Sequence, residues 1–388
     1  MAIYSPFGAR YYSRTSQQSG GAELQTTILA RELALRGFRV AHVVYPVQDP
    51  ITLDAPAPTL IERTRPQSTH RLGALAETWA IWESLRRADA QVYIVRGSGG
   101  YLGAATAFCR AYGRQLVFSS SNDLDFDFAR PDRSPHILRI NRIGIARASR
   151  LVVQTRQQGD LARRALPGID PALIPSFAQP ASRTEQCPEY FLWINRLMDY
   201  KLPERYIELA QAVPQARFRM LGVTTREASA ELVERVRTGA ERLPNLELLP
   251  ELRREELLEQ IDRAVAVVTT SRVEGMPNTF LEAWARGVPV LSLSVDPDAR
   301  IVEQGIGIVA DGSMQRFIEA AAELWEDRSA RAEMGERARR FVRERHSPAA
   351  VAARWDDLLR ELLVAGPPAR GSGAATLWRG MRERCRRA

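Results

Sequence analysis

A chain of 388 residues with 45% hydrophobic and 26% charged residues has the composition of a folded globular protein and the length for two cores rather than one. Its 54 Lys and Arg against 46 Asp and Glu leave a net charge of +8, which suits an anionic membrane surface or an anionic small molecule. With no zinc-ligand spacing and no RNP-like aromatic motif, nucleic acid is excluded as an expected partner. Cys109, Cys187 and Cys385 are odd in number and far apart, so neither a disulfide framework nor a metal-ligand set is expected, and a reducing compartment is. The first residues lack the basic and apolar regions of a secretory signal, and no apolar run is long enough to span a bilayer. The expected location is cytoplasmic, with any membrane contact peripheral at the inner face.

Residues 2–6 read as a strand, followed by a polar loop that ends in Gly20-Gly21. A helix over 22–36 follows, apolar at Leu24, Ile28, Leu29, Leu33 and Leu35 and closed by Gly37. Further strands are expected over 39–45, 91–96, 115–119 and 150–154, with helical patterns between them. The run Gly97-Ser98-Gly99-Gly100 follows a strand, but its glycine spacing is wrong for a dinucleotide fingerprint and it is not in a first βαβ unit, so NAD is set aside. A Pro- and Ser-containing stretch over 174–188 reads as a linker. The alternation then restarts, with strands expected over 191–195, 217–222, 246–249, 264–270 and 288–294. Two charged helices fill 313–344, and Ser347-Pro348 starts another that ends near Val364. After a Gly/Pro joint comes a basic tail with Leu377, Trp378 and Met381 interspersed. Alternation of this kind predicts two doubly wound parallel sheets, which bind ligands beyond the carboxyl ends of their strands. The expected boundaries are 1–178 and 179–346 for two Rossmann-like domains, 347–363 for a helix returning to the first, and 364–388 for the tail.

Three segments fall at strand ends. The first is S-R-V-E-G-M-P-N-T-F-L-E-A, Ser271 to Ala283, which follows an apolar strand and opens a helix. Pro277 suits the first helical turn, where its missing N–H costs nothing. The backbone around Gly275, Met276, Pro277, Asn278 and Thr279 would then face a phosphate above the strand end. Glu274 lies in the loop and Glu282, eight residues on, in the helix, so the two can grip different parts of one extended ligand. The second segment places Arg196 at a strand end and Lys201, the only lysine of the chain, at a helix start. Together they offer directional hydrogen bonds and a compact point charge for a diphosphate. In the third, Gly20 and Gly21 precede a helix and allow close approach of backbone to a ligand.

Taken together, Glu274-Gly275-Met276-Pro277-Asn278 with Glu282, the Arg196/Lys201 pair and the Gly20-Gly21 loop resemble the retaining GT-B glycosyltransferases of family four, the group 1 glycosyltransferases. The segments Ser149 to Thr155 and Gly287-Val288-Pro289-Val290 extend the likeness over most of residues 1–363. The resemblance implies an α/β GT-B fold, two Rossmann-like domains facing across a cleft. It also implies transfer of a sugar from a nucleotide diphosphate-sugar donor to a hydroxyl acceptor with retention, in bacterial polysaccharide or glycolipid assembly. Arg196, Lys201 and Glu274 would act on the reacting sugar and diphosphate, and Glu282 on the ribose. Gly20, Gly21 and residues Gly275 to Thr279 would cradle the donor. No metal and no separate cofactor are implied.

The acceptor implied is a glycan or lipid-linked glycan. Arg139, Arg142, Arg147 and Arg150, interleaved with Ile137, Ile140, Ile143 and Ile145, offer a basic, apolar face to an anionic membrane, as does the tail around Trp378. Each also reads as an ordinary core-packing helix or a solvated tail. Asn195 and Leu202 stand where many members have glycine. The middle strand of the first half ends in Ser119 to Asp125 with no histidine, so Asn122, Asp123 and Asp125 either contact sugar hydroxyls or cap the next element. Two rival readings of the same fold are a degenerate subunit that binds a partner glycosyltransferase and a nucleotide-sugar epimerase.

Overall fold

The computed structural model describes residues 1–13, 20–53, 55–63, 73–131, 133–181, 187–224 and 228–366. Ser19, much of the linker centre and the basic tail with Trp378 and Cys385 lie outside the described residues. The chain divides into two units, Met1–Pro175 with the chain from Pro348 onward, and Ser176–Ser347.

The first unit alternates β1 (Ala2–Tyr4), α1 (Gly21–Leu35), β2 (Ala41–Val44), β3 (Thr59–Glu62), α2 (Gly73–Ala88), β4 (Val92–Arg96), α3 (Gly100–Tyr112), β5 (Gln115–Ser119), α4 (Pro135–Ala146), β6 (Arg150–Val153), α5 (Arg156–Ala165) and β7 (Ala172–Leu173). All seven strands are parallel, in the order β3-β2-β1-β4-β5-β6-β7. Short apolar runs such as V-Y-I-V-R and Q-L-V-F-S become central strands because helices cover both faces, so almost every side chain is buried. Tyr4, Val95, Phe118 and Val153 line one core with Trp82, Leu85 and Phe108. Gly103 and Gly144 let α3 and α4 approach: a Cβ at Gly144 would lie 2.7 Å from Leu102.

In the second unit come β8 (Tyr190–Arg196), α6 (Pro203–Ala212), β9 (Phe218–Val223), α7 (Ala230–Glu241), β10 (Leu246–Leu248), α8 (Arg254–Asp262), β11 (Ala264–Thr269), α9 (Asn278–Arg286), β12 (Val290–Ser292), α10 (Arg300–Gln304), β13 (Gly307–Val309), α11 (Met314–Glu326) and α12 (Arg328–Arg345). The parallel order is β10-β9-β8-β11-β12-β13, the order of a dinucleotide-binding sheet, reversing direction between β8 and β11. One face buries Phe191, Trp193, Tyr206 and Phe317, the other Leu192, Phe280, Trp284 and Phe341. Helix α12 meets the end of α9 through two glycines: a Cβ on Gly335 would lie 2.1 Å from the Gly287 carbonyl oxygen, so only glycine allows this crossing.

The last described helix, α13 (Pro348–Ala365), belongs to the first unit. Ala349 O accepts from Arg36 Nη2 at 2.9 Å, and Leu362 O accepts from Gln115 Nε2 at 3.4 Å. The strands at 59–62, 172–173 and 307–309 are additional to those read from the sequence. Among the described residues no helix is long and apolar enough to cross a membrane.

Candidate functional site

The reversal between β8 and β11 brings together the two loops that carry most of the residues singled out from the sequence. Arg196 is the last residue of β8 and is exposed, with no ion pair among the described residues. The chain then turns through Asp199–Lys201 into α6. Leu202, between that turn and Pro203, adopts φ +48° and ψ +56°, a left-handed conformation that costs a non-glycine residue on the order of 1 kcal/mol. The sequence departure at this position is thus a place where the backbone asks for glycine and leucine is held under strain.

Lys201 is 7% exposed. Its ammonium donates to Glu274 Oε1, forming a largely buried ion pair whose side chains are 8% and 13% exposed. Ser271 Oγ donates to the same oxygen at 2.7 Å. Two further bonds fix the loops to each other: Thr270 Oγ1 donates to Lys201 O at 2.6 Å, and Arg272 N to Tyr200 O at 2.9 Å. Thr270 Oγ1 in turn accepts from Trp193 Nε1 at 3.0 Å, tying the arrangement to the sheet core. The β8 and β11 loops therefore form one hydrogen-bonded body.

Helix α9 starts one residue later than expected. Pro277 is its N-cap, with φ −65° and extended ψ 133°, rather than its first helical residue. The correction follows from ψ: the proline ring fixes φ at a helical value but leaves ψ free. Phe280 N and Leu281 N both bond to Pro277 O, so the amides of Asn278 and Thr279 precede the helical ladder. Gly275 is buried and Met276 is 8% exposed with its side chain in the core. Only the backbone of Met276 is thus available to a ligand.

Glu282, one turn into α9 and 7% exposed, does not share the Lys201 network. Its Oε1 accepts from Arg254 Nη2 at 2.7 Å, and the same Nη2 donates to Gln179 Oε1 at 3.1 Å. Both members of this pair are largely buried, 13% and 8% exposed. Sequence reasoning missed Arg254, which lies 28 residues away at the start of another helix, among other arginines, with no spacing signal. The structure thus sorts the two glutamates into separate ion pairs, one beneath the strand ends and one on the flank of α9.

In the first unit, Gly20 is the N-cap of α1 at φ +107°. Tyr11 Oη donates to its carbonyl at 2.9 Å. Asp125 holds the loop after β5: its oxygens accept from Ser98 N (2.9 Å), Ser121 N (2.6 Å), Asn122 N (3.3 Å), Ser120 Oγ (3.2 Å) and Ser121 Oγ (3.1 Å). Asp123 Oδ2 accepts from Gln157 Nε2 at 3.0 Å. Asp125 is thus committed to the fold of its loop, while Asp123 ties that loop to α5. Among the described residues no group of three or more His, Cys, Asp or Glu is arranged to hold a metal ion.

The exposed face of α4 carries Arg139 and Arg142, with Arg147 as its C-cap, and Ile140 and Ile143, 39% and 41% exposed, whereas Ile145 is fully buried. A groove of about 1070 Å³ runs beside it, bordered by Arg139, Arg142, Arg150 and Glu361. It lies at the amino ends of β6 and β7, opposite the ends where parallel sheets bind small ligands.

Residues 20–175 match the model of the "Glycosyl transferase 4-like domain", and residues 177–341 match that of "Glycosyl transferases group 1". Among solved structures, the chain is similar to sucrose-phosphate synthase from Thermosynechococcus elongatus (TM-score 0.78, 16% identity, 94% of this chain and 99% of that one). It is also similar to HepE of Anabaena in complex with UDP and glucose (TM-score 0.73, 16% identity, 92% and 98%). A third is WaaG, a glycosyltransferase involved in lipopolysaccharide biosynthesis (TM-score 0.65, 17% identity, 90% and 98%). At such identities these likenesses speak for the fold, a pair of Rossmann-like units of the GT-B type.

Proposed function

The chain belongs to the group 1 glycosyltransferases, and from that premise we propose that it moves a sugar from a nucleotide diphosphate-sugar to a hydroxyl acceptor with retention of anomeric configuration. The observation that carries the reading is the Lys201–Glu274 pair at the strand-order reversal of the second unit, beside Arg196 and the start of α9. HepE, a protein of the same fold, is described in complex with UDP and with UDP-glucose, which supports a nucleotide-sugar as the donor class.

Breaking the anomeric C–O bond leaves negative charge on the diphosphate. In this reading Arg196, Lys201 and the first amides of α9 are fixed charges and dipoles aimed at that charge, and they stabilise the transition state more than the ground state. Glu274 accepts hydrogen bonds from the transferred sugar with its second oxygen, the first being held by Ser271 and Lys201. Glu282, oriented by Arg254, accepts from the ribose. No nucleophile and acid pair of the glycosidase kind is invoked; the acceptor attacks from the face the diphosphate leaves, and a phosphate oxygen takes its proton.

We assign the protein to assembly of a cell-surface glycan or glycolipid on the inner face of a membrane, on the strength of the α4 face. Three arginines and two isoleucines there suit an anionic bilayer. Flotation with liposomes tests this part: binding to anionic but not zwitterionic vesicles, lost at high salt, is expected, and salt-independent or absent binding overturns it. The transfer reading is tested by donor turnover with UDP-, GDP- and ADP-sugars. One donor is expected to be consumed, and Arg196→Ala to slow it about 100-fold. Near-normal turnover in that variant would overturn the role given to the cation.

A further inference from the structure

Strand β11 ends in Thr269, and Thr270 and Ser271 follow it into the Glu274 loop. All three are buried, 3%, 0% and 0% exposed, directly after a wholly apolar run, A-V-A-V-V. A buried hydroxyl is costly unless it is hydrogen-bonded, and each of these is. Thr269 Oγ1 lies 3.2 Å from Ser271 Oγ, and Ser271 Oγ 2.7 Å from Glu274 Oε1. Thr270 Oγ1 lies 3.0 Å from Trp193 Nε1 and 2.6 Å from Lys201 O.

The end groups fix the direction of both chains of hydrogen bonds. An indole N–H only donates and a carbonyl only accepts, so the single proton of Thr270 is directed to Lys201 O. A carboxylate paired with an ammonium only accepts, so Ser271 donates to Glu274 and accepts from Thr269. Two adjacent residues thus serve different groups. Thr270 holds the peptide between Lys201 and Leu202, which leads into the left-handed conformation of Leu202. Such a conformation persists only where neighbouring groups over-determine it, so this bond helps to keep the turn that carries Lys201. Ser271 acts on Glu274. An ammonium on a flexible stem binds either oxygen of a carboxylate equally well. Ser271, bonded to the same oxygen as Lys201, breaks that equivalence and gives the other oxygen one fixed direction.

We propose that Thr270 and Ser271 are positioning residues with separate tasks. Thr270 sets Lys201 for the donor's diphosphate; Ser271 sets Glu274 for the hydroxyls of the donor sugar and is thereby a determinant of which sugar is accepted. The inference rests on the glycosyl-transfer reading and deepens it, from the groups that meet the donor to the groups that aim them.

Donor turnover and calorimetry on the full chain test it with three epimer pairs: UDP-glucose and UDP-galactose, GDP-mannose and GDP-glucose, ADP-glucose and ADP-mannose. UDP, GDP and ADP are titrated alongside. Two quantities are read, the affinity of the parent diphosphate and the ratio of kcat/KM between the consumed sugar and its epimer. Thr270→Val keeps the shape of the side chain and removes the hydroxyl. It is expected to weaken the diphosphate about tenfold and to leave the epimer ratio within about twofold, and Thr270→Ser, which keeps the hydroxyl, to restore the affinity. Ser271→Ala is expected to do the reverse, lowering the epimer ratio about tenfold with diphosphate affinity within about twofold of wild type. A loosened fold would move both quantities together in either variant, so the crossed pattern separates positioning from a structural role. Both quantities falling together, or neither changing, against a wild type that consumes a donor would overturn the proposal. A wild type that binds a diphosphate but consumes none of the six sugars would instead overturn the transfer reading, and the task given to Ser271 with it.

Discussion

Lys201 and Arg196 are two cations at one strand end with different physical situations, and their variants should differ accordingly. Lys201 is buried against Glu274, so Lys201→Ala strands a carboxylate and is expected to destabilise the fold by about 3 kcal/mol while also removing donor turnover. Arg196 is exposed, so Arg196→Ala should leave stability within about 0.5 kcal/mol and affect turnover alone. Chemical denaturation of both variants checks the contrast; equal destabilisation would mean that Arg196 is a structural residue. Arg254 belongs to the same scale. As the partner of Glu282 it positions that carboxylate rather than touching the reacting atoms. Arg254→Ala should therefore weaken nucleoside diphosphate binding about tenfold to hundredfold, with a larger effect on KM than on kcat, and Arg254→Lys should restore part of it. A pure kcat defect would contradict this role.

At the scale of elements, strands with unbroken β-branched and aromatic runs were legible: the central strand 115–119 has the bounds expected, and the runs at 92–96, 190–196 and 264–269 differ by a residue or so. The strands that sequence reading passed over are edge or near-edge pieces of two to four residues, T-L-I-E, A-L and G-I-V. Such segments carry too little periodicity, and pairing with a neighbour makes them strands. The Glu274 loop was legible because a strand, a glycine, a proline and a helix start fall in fixed order. The division of Glu274 and Glu282 into two ion pairs was not, since their partners lie 73 and 28 residues away and no local pattern encodes such pairing.

One buried element has a pH signature. His42 in β2 is fully buried, with Nδ1 bonded to Tyr12 Oη at 2.8 Å, and burial pushes it down to about 3 from the ordinary 6.5. The unfolded chain therefore binds a proton that the folded chain refuses. The stability that neutral His42 confers is full above pH 6.5 and declines as pH falls from 6.5 towards 3. His42→Gln should flatten the stability profile in that window, read from denaturation midpoints; an unchanged slope would place the acid sensitivity elsewhere.

For the whole molecule, the proposed function assigns the carboxyl end of the second unit's sheet to a nucleotide diphosphate-sugar. In the proposed function Arg196, Lys201 and the start of α9 hold a pyrophosphate. Calorimetric titration of the full chain with a nucleoside diphosphate and with its parent nucleoside, in wild type and Arg196→Ala, tests it most directly. The diphosphate is expected to lose about 30-fold in affinity in the variant and the nucleoside to bind as before. Equal diphosphate affinity in the two proteins, or a matching loss for the nucleoside, would contradict it.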